Sequence, residues 1–328
     1  MGTTLWRAVL GAALLALVVS CADRPVGTKQ RPFTMYFVPS MQAQDLGSNS
    51  DTLAAFVSKF VSQRLYGEDR GFYVRTRIPM SYVAVVEALG TGRADLAALN
   101  TFSFVLAKDI KGYDVEALLA VVRGVDERTY CGQILVRADS GIETLGDLNG
   151  KSFAYTDPSS SAGFMLPVRL FEREGVRLGN TVFATRHDSV VSMVHQGQVD
   201  AGATYFSPPR LAPDGTVLEH RDARARVLTQ YPDVFEKVRI LAFTEHVPNE
   251  PWVVRGTLDP EPGRNGAIKD AVRDALVAFA KTPEGRESLE GLYNLSGLAP
   301  VDDSEYDGMR EMVLRSGADI EAQLAGRR

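Results

Sequence analysis

The sequence predicts an α/β protein of two lobes, one inserted into the chain of the other. Three observations carry this. Short apolar runs rich in β-branched and aromatic residues alternate with stretches whose apolar residues recur at helical spacing, the pattern of a mostly parallel sheet flanked by helices. That series pauses near Thr129-Tyr130, restarts at Gln133 and breaks again near Glu245-His246, so a second series sits inside the first. Finally, 328 residues at 45% hydrophobic content can bury two cores of ordinary domain size.

The first 20 residues form a separate object. Arg7 supplies a positive start, and Val9 to Val19 is apolar but short for a bilayer. Val18-Val19-Ser20 then precedes Cys21, which resembles a bacterial lipobox with Val in place of the usual Leu. The resemblance implies a signal peptide at residues 1–20, cleavage before Cys21 and a lipid anchor on that cysteine. The protein has two cysteines, so Cys131 is then alone and no intramolecular disulfide is expected. Removing residues 1–20 takes away one Arg and no acid, so the net charge moves from −5 to −5 − 1 = −6. Mild acidity without a basic run gives no support for nucleic-acid binding.

Residues 21–31, with Pro25 and Gly27, read as a tether. Residues 32–127 together with 247–328 read as lobe 1, and 128–246 as lobe 2. In lobe 1, Phe33 to Val38 is a strand ended by Pro39-Ser40. Asp51 to Leu65 is a helix with Leu53, Phe56, Val57, Phe60 and Val61 on its apolar face. Phe72 to Ile78 is a strand, Ser81 opens a helix through Leu89, and Asp95 to Leu99 is a third strand. Asn100-Thr101 lead into a helix through Phe104 and Leu106, and Leu118 to Val122 is a fourth strand.

In lobe 2, Gln133 to Val136 is a strand, Ile142 to Leu148 a short helix and Ser152 to Tyr155 a strand. Phe164 to Glu174 is a helix, Thr181 to Thr185 a strand, Ser189 to Gln196 a helix, and Ala201 to Tyr205 and Arg239 to Phe243 are strands. The tail from Ala267 to Leu324 is mostly helical, broken by Pro283, Gly297 and Pro300. Ligands of such folds sit between lobes, at the carboxyl ends of strands.

The stretch of greatest chemical interest is Thr156-Asp157-Pro158-Ser159-Ser160-Ser161-Ala162-Gly163, between a strand and a helix start. Free N–H groups, a partial positive charge and Ser hydroxyls can cap a helix or hold an oxyanion there. Taken alone, the octapeptide is more simply a capped surface helix.

The wider pattern resembles the phosphonate- and phosphite-binding proteins of bacterial ABC importers, which have the type II periplasmic-binding-protein fold. The resemblance rests on Phe37-Val38-Pro39-Ser40, on Tyr82 to Leu89 with Gly90-Thr91-Gly92-Arg93-Ala94-Asp95, and on Asp147-Leu148-Asn149-Gly150-Lys151. The octapeptide, His187-Asp188, Gly197-Gln198-Val199-Asp200-Ala201-Gly202-Ala203 and Val247-Pro248-Asn249-Glu250-Pro251 complete it. It implies two lobes closing on a small phosphorus oxyanion in the cleft.

The family turn reads Ser-Thr-Ser-Gly. Here the matching residues keep hydroxyls at Ser160 and Ser161 and only a backbone N–H at Ala162. By the same resemblance His187 contacts the ligand and Asp188 caps the helix after it. Glu250 stands where the family often has Asp. In aminoalkyl-phosphonate binders that acid helps hold the ligand ammonium. In phosphite and simple phosphonate binders it can hydrogen-bond a protonated ligand oxygen or sit in the cleft wall, since a carboxylate beside an oxyanion needs a proton or a cation between them. A second acid of aminoalkyl binders falls, counted from His187, at neutral Ser207. That leans the reading toward phosphite, methylphosphonate or phosphate. Tyr205 is a candidate to close the cleft. Ser40, Asn100 and Thr101 are candidates at strand ends of lobe 1, with Phe102 and Phe104 as walls.

The reading is therefore a lipid-anchored, monomeric, extracytoplasmic receptor (periplasm or cell surface) that serves an ABC permease and ATPase. No cofactor or metal is expected. Gly-x-Ser-x-Gly, a P-loop and His-Glu-x-x-His are absent from the sequence, and no catalytic residue is assigned. A sensor feeding a membrane kinase or chemoreceptor, or a receptor for an unrelated solute, uses the same fold. Few cleft aromatics are predictable, which weighs against a quaternary amine.

Overall fold

The computed structural model describes residues 24–40 and 43–315. The signal-peptide segment, the lipidation candidate Cys21 and the end of the helical tail lie outside the described residues.

The first lobe starts with β1 (Phe33–Phe37), α1 (Ala43–Tyr66), β2 (Val74–Arg77), α2 (Tyr82–Gly90), β3 (Leu96–Ala98), α3 (Thr101–Val105) and β4 (Val115–Val122). The chain then crosses into β5 (Thr129–Arg137), β6 (Phe153–Tyr155), α4 (Leu166–Glu174), β7 (Thr181–Phe183), α5 (His187–His195) and β8 (Ala201–Phe206). A small hairpin, β9 (Arg210–Leu211) and β10 (Val217–Glu219), precedes α6 (Val234–Lys237) and β11 (Val238–Phe243). The return runs through β12 (Val247–Pro248) into β13 (Pro251–Arg255), α7 (Pro262–Lys281), α8 (Pro283–Tyr293), β14 (Gly297–Ala299) and α9 (Asp307–Arg315).

Both lobes use one strand plan. The first sheet runs β14-β4-β13-β3-β1-β2 and the second β11-β5-β8-β6-β7, with β12 paired to β5. In each, a strand that has just arrived from the other lobe, β13 or β5, lies between the lobe's own third and fourth strands. The sheets are accordingly mixed rather than mostly parallel. β1 pairs parallel with β2 and β3, and β6 with β7 and β8, whereas β13 and β5 run antiparallel to both neighbours. A strand that enters directly from the opposite lobe has no crossover helix to reverse its direction, so it runs against the local strands.

Strand β13 was not predicted from the sequence, although it is central. Its opening Pro251 suggests an edge or no strand. Here Pro251 takes the first strand position, where its carbonyl accepts from Leu99 N–H at 3.1 Å and no N–H is needed.

Burial explains the layers. On one face of the first sheet Phe33, Met35, Phe37, Leu119 and Trp252 pack against α1, α7 and α8; on the other, Val38, Ala97 and Val253 pack against α2 and Tyr306. The second sheet buries Ile134, Val136 and Phe153 against α4, and Leu135 and Ala154 against α5. Within the segment read as a tether, Val26 is fully buried and Tyr73 N–H donates to Gly27 O at 2.7 Å.

The two crossings lie side by side. Val247 pairs with Tyr130 and Pro248 with Thr129, and Asn249 N–H donates to Arg128 O at 2.9 Å. A separate apolar cluster spans the lobes: Phe102, Val105, Met309 and Val313 from lobe 1 meet Ala162, Met165 and Leu166 from lobe 2.

Candidate functional site

A cavity of about 70 Å³ lies between the lobes. The space suits a small ligand. Lobe 2 lines it with Ser160, Ser161, Ala162, His187, Asp188, Tyr205 and Arg226. Lobe 1 contributes Val38, Ser40, Tyr82, Leu99, Asn100, Trp252 and Tyr293, and the crossings add Arg123, Tyr130 and Glu250.

The octapeptide turn is built from the inside. Ser159 N–H donates to Asp157 Oδ1 at 2.8 Å, which fixes the bend. Ser160 is the N-cap, and its Oγ accepts from Gly163 N–H at 3.1 Å. Glycine is required at 163, because a Cβ there would meet Thr156 Oγ1 at 2.2 Å. Ser160 still carries its own hydroxyl proton, available for a ligand. Ser161 has different work: its Oγ accepts from Phe102 N–H at 2.8 Å and donates to Asn100 Oδ1 at 2.9 Å. Asn100 Nδ2 donates to Ser159 O at 3.0 Å, and Ser103 Oγ donates to the same carbonyl at 3.1 Å. Ser161 and Asn100 thus join the two lobes beside the cavity.

His187 is buried and lies 3.2 Å through Nδ1 from Thr156 Oγ1. Burial pulls its pKa down to about 4, opposed weakly by Asp188, so the ring is neutral at pH 7. The Thr156 hydroxyl can donate to Ala203 O at 3.2 Å or to Nδ1. The first choice leaves Nε2 as an acceptor toward the cavity and the second makes it a donor.

Arg123 lies in the first crossing and Glu250 in the second. They form a fork, Nη1 to Oε2 at 2.6 Å and Nη2 to Oε1 at 2.9 Å. Burial disfavours the guanidinium charge, but attraction and hydrogen bonding to Glu250 outweigh it and hold the pKa of Arg123 above its usual value. The charge of Glu250 is thus offset by a cation of this chain. Tyr130 Oη and Trp252 Nε1 are buried donors with no hydrogen-bond partner among the described residues. The Ser161 and Thr101 hydroxyls are near enough to temper the upward pKa shift that burial imposes on Tyr130, yet neither meets hydrogen-bond geometry.

Of the residues singled out from the sequence, Ser40, Asn100, Ser160, Ser161, Ala162, His187, Tyr205 and Glu250 line this cavity. Thr101 does not: its hydroxyl donates to Pro248 O at 2.8 Å. Phe102 belongs to the cluster between the lobes, and Phe104 packs edge-on against Tyr306, so neither walls the site. Ser207 is buried outside the cavity. Asp188 is not the helix cap; it sits in the first turn, where Oδ1 accepts from Ser189 N–H at 2.8 Å and Arg186 Nε at 3.0 Å.

Arg123, Arg226, Tyr82, Tyr130, Trp252 and Tyr293 were not expected in the site. With Tyr205 they make five aromatic wall residues, which corrects the expectation of few cleft aromatics. Cys131 is buried, and burial pushes its thiol up to about 11, so it is neutral and unsuited to nucleophilic attack. Among the described residues no group of three or more His, Cys, Asp or Glu is arranged to hold a metal ion.

Comparison with known proteins is consistent with this geometry. Residues 35–306 match the family model described as ABC transporter, phosphonate, periplasmic substrate-binding protein. The phosphate-import protein PhnD of Mycolicibacterium smegmatis is 25% identical over 333 residues, covering 94% of each chain. A binding protein component of an ABC phosphonate transporter from Pseudomonas aeruginosa superposes with a TM-score of 0.70 at 18% identity, over 89% of this chain and 87% of that one. PhnD1 of Prochlorococcus marinus, solved with methylphosphonate, gives 0.69 at 16% identity, over 87% and 97%. These superpositions support the two-lobe fold.

Proposed function

The chain belongs to the periplasmic substrate-binding proteins of phosphonate ABC transporters, and from that premise we propose that it captures a small phosphorus oxyanion in the cavity between its lobes. Phosphite, a simple phosphonate and phosphate are the ligand class. The observation that carries the reading is a helix start at Ser160–Ala162 and a neutral, buried His187 in the same enclosed space as the Arg123–Glu250 fork. Ser160 Oγ–H, the N–H groups at the helix start, Tyr130 Oη and Trp252 Nε1 supply donors. His187 either donates through Nε2 or accepts from a ligand oxygen that keeps its proton.

Three or four charge-assisted hydrogen bonds at about 1.5–3 kcal/mol each reach the roughly −8.2 kcal/mol of micromolar affinity. The lobes close around the paired crossings at Arg123–Tyr130 and Glu245–Asn249, which act as the hinge. Closure removes water and strengthens each polar contact. The closed form is presented to a permease and its ATPase. In this proposal Cys21 carries the lipid that holds a monomeric receptor outside the cytoplasm; no helix among the described residues is long and apolar enough to cross a membrane.

Titration calorimetry of the purified protein against phosphite, phosphate, methylphosphonate and 2-aminoethylphosphonate tests the reading. Tight binding of one of the first three, weakened at least tenfold by His187→Ala, is expected. Binding to none of the four overturns it. Mass spectrometry of membrane-extracted protein tests the anchor: an unmodified Cys21 or an uncleaved residue 1–20 segment refutes it.

A further inference from the structure

Among the described residues lining the cavity the carboxylates are Glu250 and Asp188, and each already holds a guanidinium of this chain. Both oxygens of Glu250 are taken by the two Nη groups of Arg123, at 2.6 and 2.9 Å, and Nη1 also reaches Asn249 Oδ1 at 3.5 Å. Arg123 is 7% exposed and the Glu250 side chain 22% exposed, so water reaches the pair only partially, from the carboxylate side. Asp188 accepts from Arg186 Nε at 3.0 Å. The third cation, Arg226, donates to the neutral Oδ1 of Asn294 at 2.6 Å, so its charge is not cancelled there. Among the lining residues Arg123 and Arg226 balance Asp188 and Glu250, 2 − 2 = 0, with His187 neutral, so no carboxylate is left over for a ligand cation. Even the ring of Tyr130 is approached by Arg123, at 5.8 Å.

We propose that Arg123 is a specificity-determining residue: its guanidinium fills the position at Glu250 that a ligand ammonium would need, so the cavity admits phosphorus anions without an amine and rejects aminoalkyl ones. The inference rests on the phosphorus-oxyanion reading above. An ammonium entering this space must either break a part-buried bidentate pair or sit beside its like charge where screening by water is reduced. An anion with a hydrogen, methyl or hydroxyl in that place meets neither cost. The pair also connects the two crossings, so discrimination and lobe geometry are set by the same contact.

Calorimetry at pH 8.5 with methylphosphonate and 2-aminoethylphosphonate tests this. The wild-type protein is expected to favour methylphosphonate at least tenfold. Arg123→Gln frees Glu250 and is expected to shift the affinity ratio toward the amine at least a hundredfold. Glu250→Gln leaves the guanidinium uncancelled and is expected to shift the ratio at least tenfold the other way. Arg123→Lys keeps the wild-type order.

The opposite directions keep the test decisive if one variant does not fold. A protein that binds methylphosphonate with an unchanged ratio in either folded variant, or a wild type that binds the amine as tightly, overturns the filter alone. A wild type that binds neither these two nor phosphite or phosphate overturns the ligand reading, and the filter with it.

Discussion

The two lobes share a strand order yet bring different chemistry to the cavity. Lobe 2 presents a hydroxyl-bearing helix start, a neutral imidazole, Asp188 and Arg226. Lobe 1 presents mostly the apolar side of its own core: Val38, Leu99 and Trp252 with the rings of Tyr82 and Tyr293. Helix starts make the contrast plain. In lobe 2, Ser160 caps its helix with one lone pair and keeps a proton for a guest. In lobe 1, Asn100 caps α3 by accepting from Ser103 N–H at 2.9 Å, donates to Ser103 Oγ at 3.1 Å, and also bonds Ser159 and Ser161 across the cleft. In the proposed function lobe 2 supplies most of the donors, and lobe 1 supplies wall, clasp and the Trp252 donor. The same topology therefore does not assign the same task; the side chains at equivalent loop positions do.

The strongest way to break this contrast is Trp252→Ala. Trp252 is fully buried and edge-stacked on Phe37 at 6.0 Å, so its loss is expected to cost about 3–5 kcal/mol of stability in denaturant titrations. A small loss would mean that lobe 1's wall is not part of its core.

The next effect belongs to lobe 2. The His187 pKa falls from 6.5 unfolded to about 4 folded, so the unfolded chain takes up a proton that the buried ring refuses. Stability is then present in full above about pH 6.5 and is lost as pH falls toward about 4. His187→Gln is expected to lose about 3 kcal/mol less than the wild type over that range. Parallel curves for the two proteins would place His187 in a solvated setting instead.

Ser161→Ala leaves Phe102 N–H and Asn100 Oδ1 each short of a partner at the lobe junction. It is expected to cost about 1–3 kcal/mol of stability. Ser160→Ala removes only a cap and is expected to cost about 1 kcal/mol. The sharper comparison is in solution scattering: Ser161→Ala should expand the ligand-free protein more than Ser160→Ala. Equal profiles would remove the clasp role from Ser161.

Much of this was legible in the residues. Alternation of strand and helix located both sheets, and the octapeptide, His187 and Glu250 meet at one cavity as their order along the chain suggested. What escaped has identifiable causes. Strand β13 opens with a proline and is only five residues long, so no local pattern marks it as central. Arg123 stands among charged and polar residues of a connecting segment, where an arginine usually means solvent; it is the pairing of the crossings that turns it toward Glu250. Phe104 looked like a site wall because it follows Asn100 and Thr101, but α3 turns it onto Tyr306.

By itself, the sequence determined the two-lobe plan and the hydroxyl-bearing turn, because both are written in neighbouring residues as periodicity, punctuation and hydroxyls at a helix start, while the family entered through the resemblance of its motifs in order. Only the tertiary structure decided the charge of the site. Whether Glu250 is a free carboxylate or a neutralised one depends on a guanidinium 127 residues away in the chain, and Coulomb energy follows distance in space and exclusion of water, neither of which has a signature along the chain.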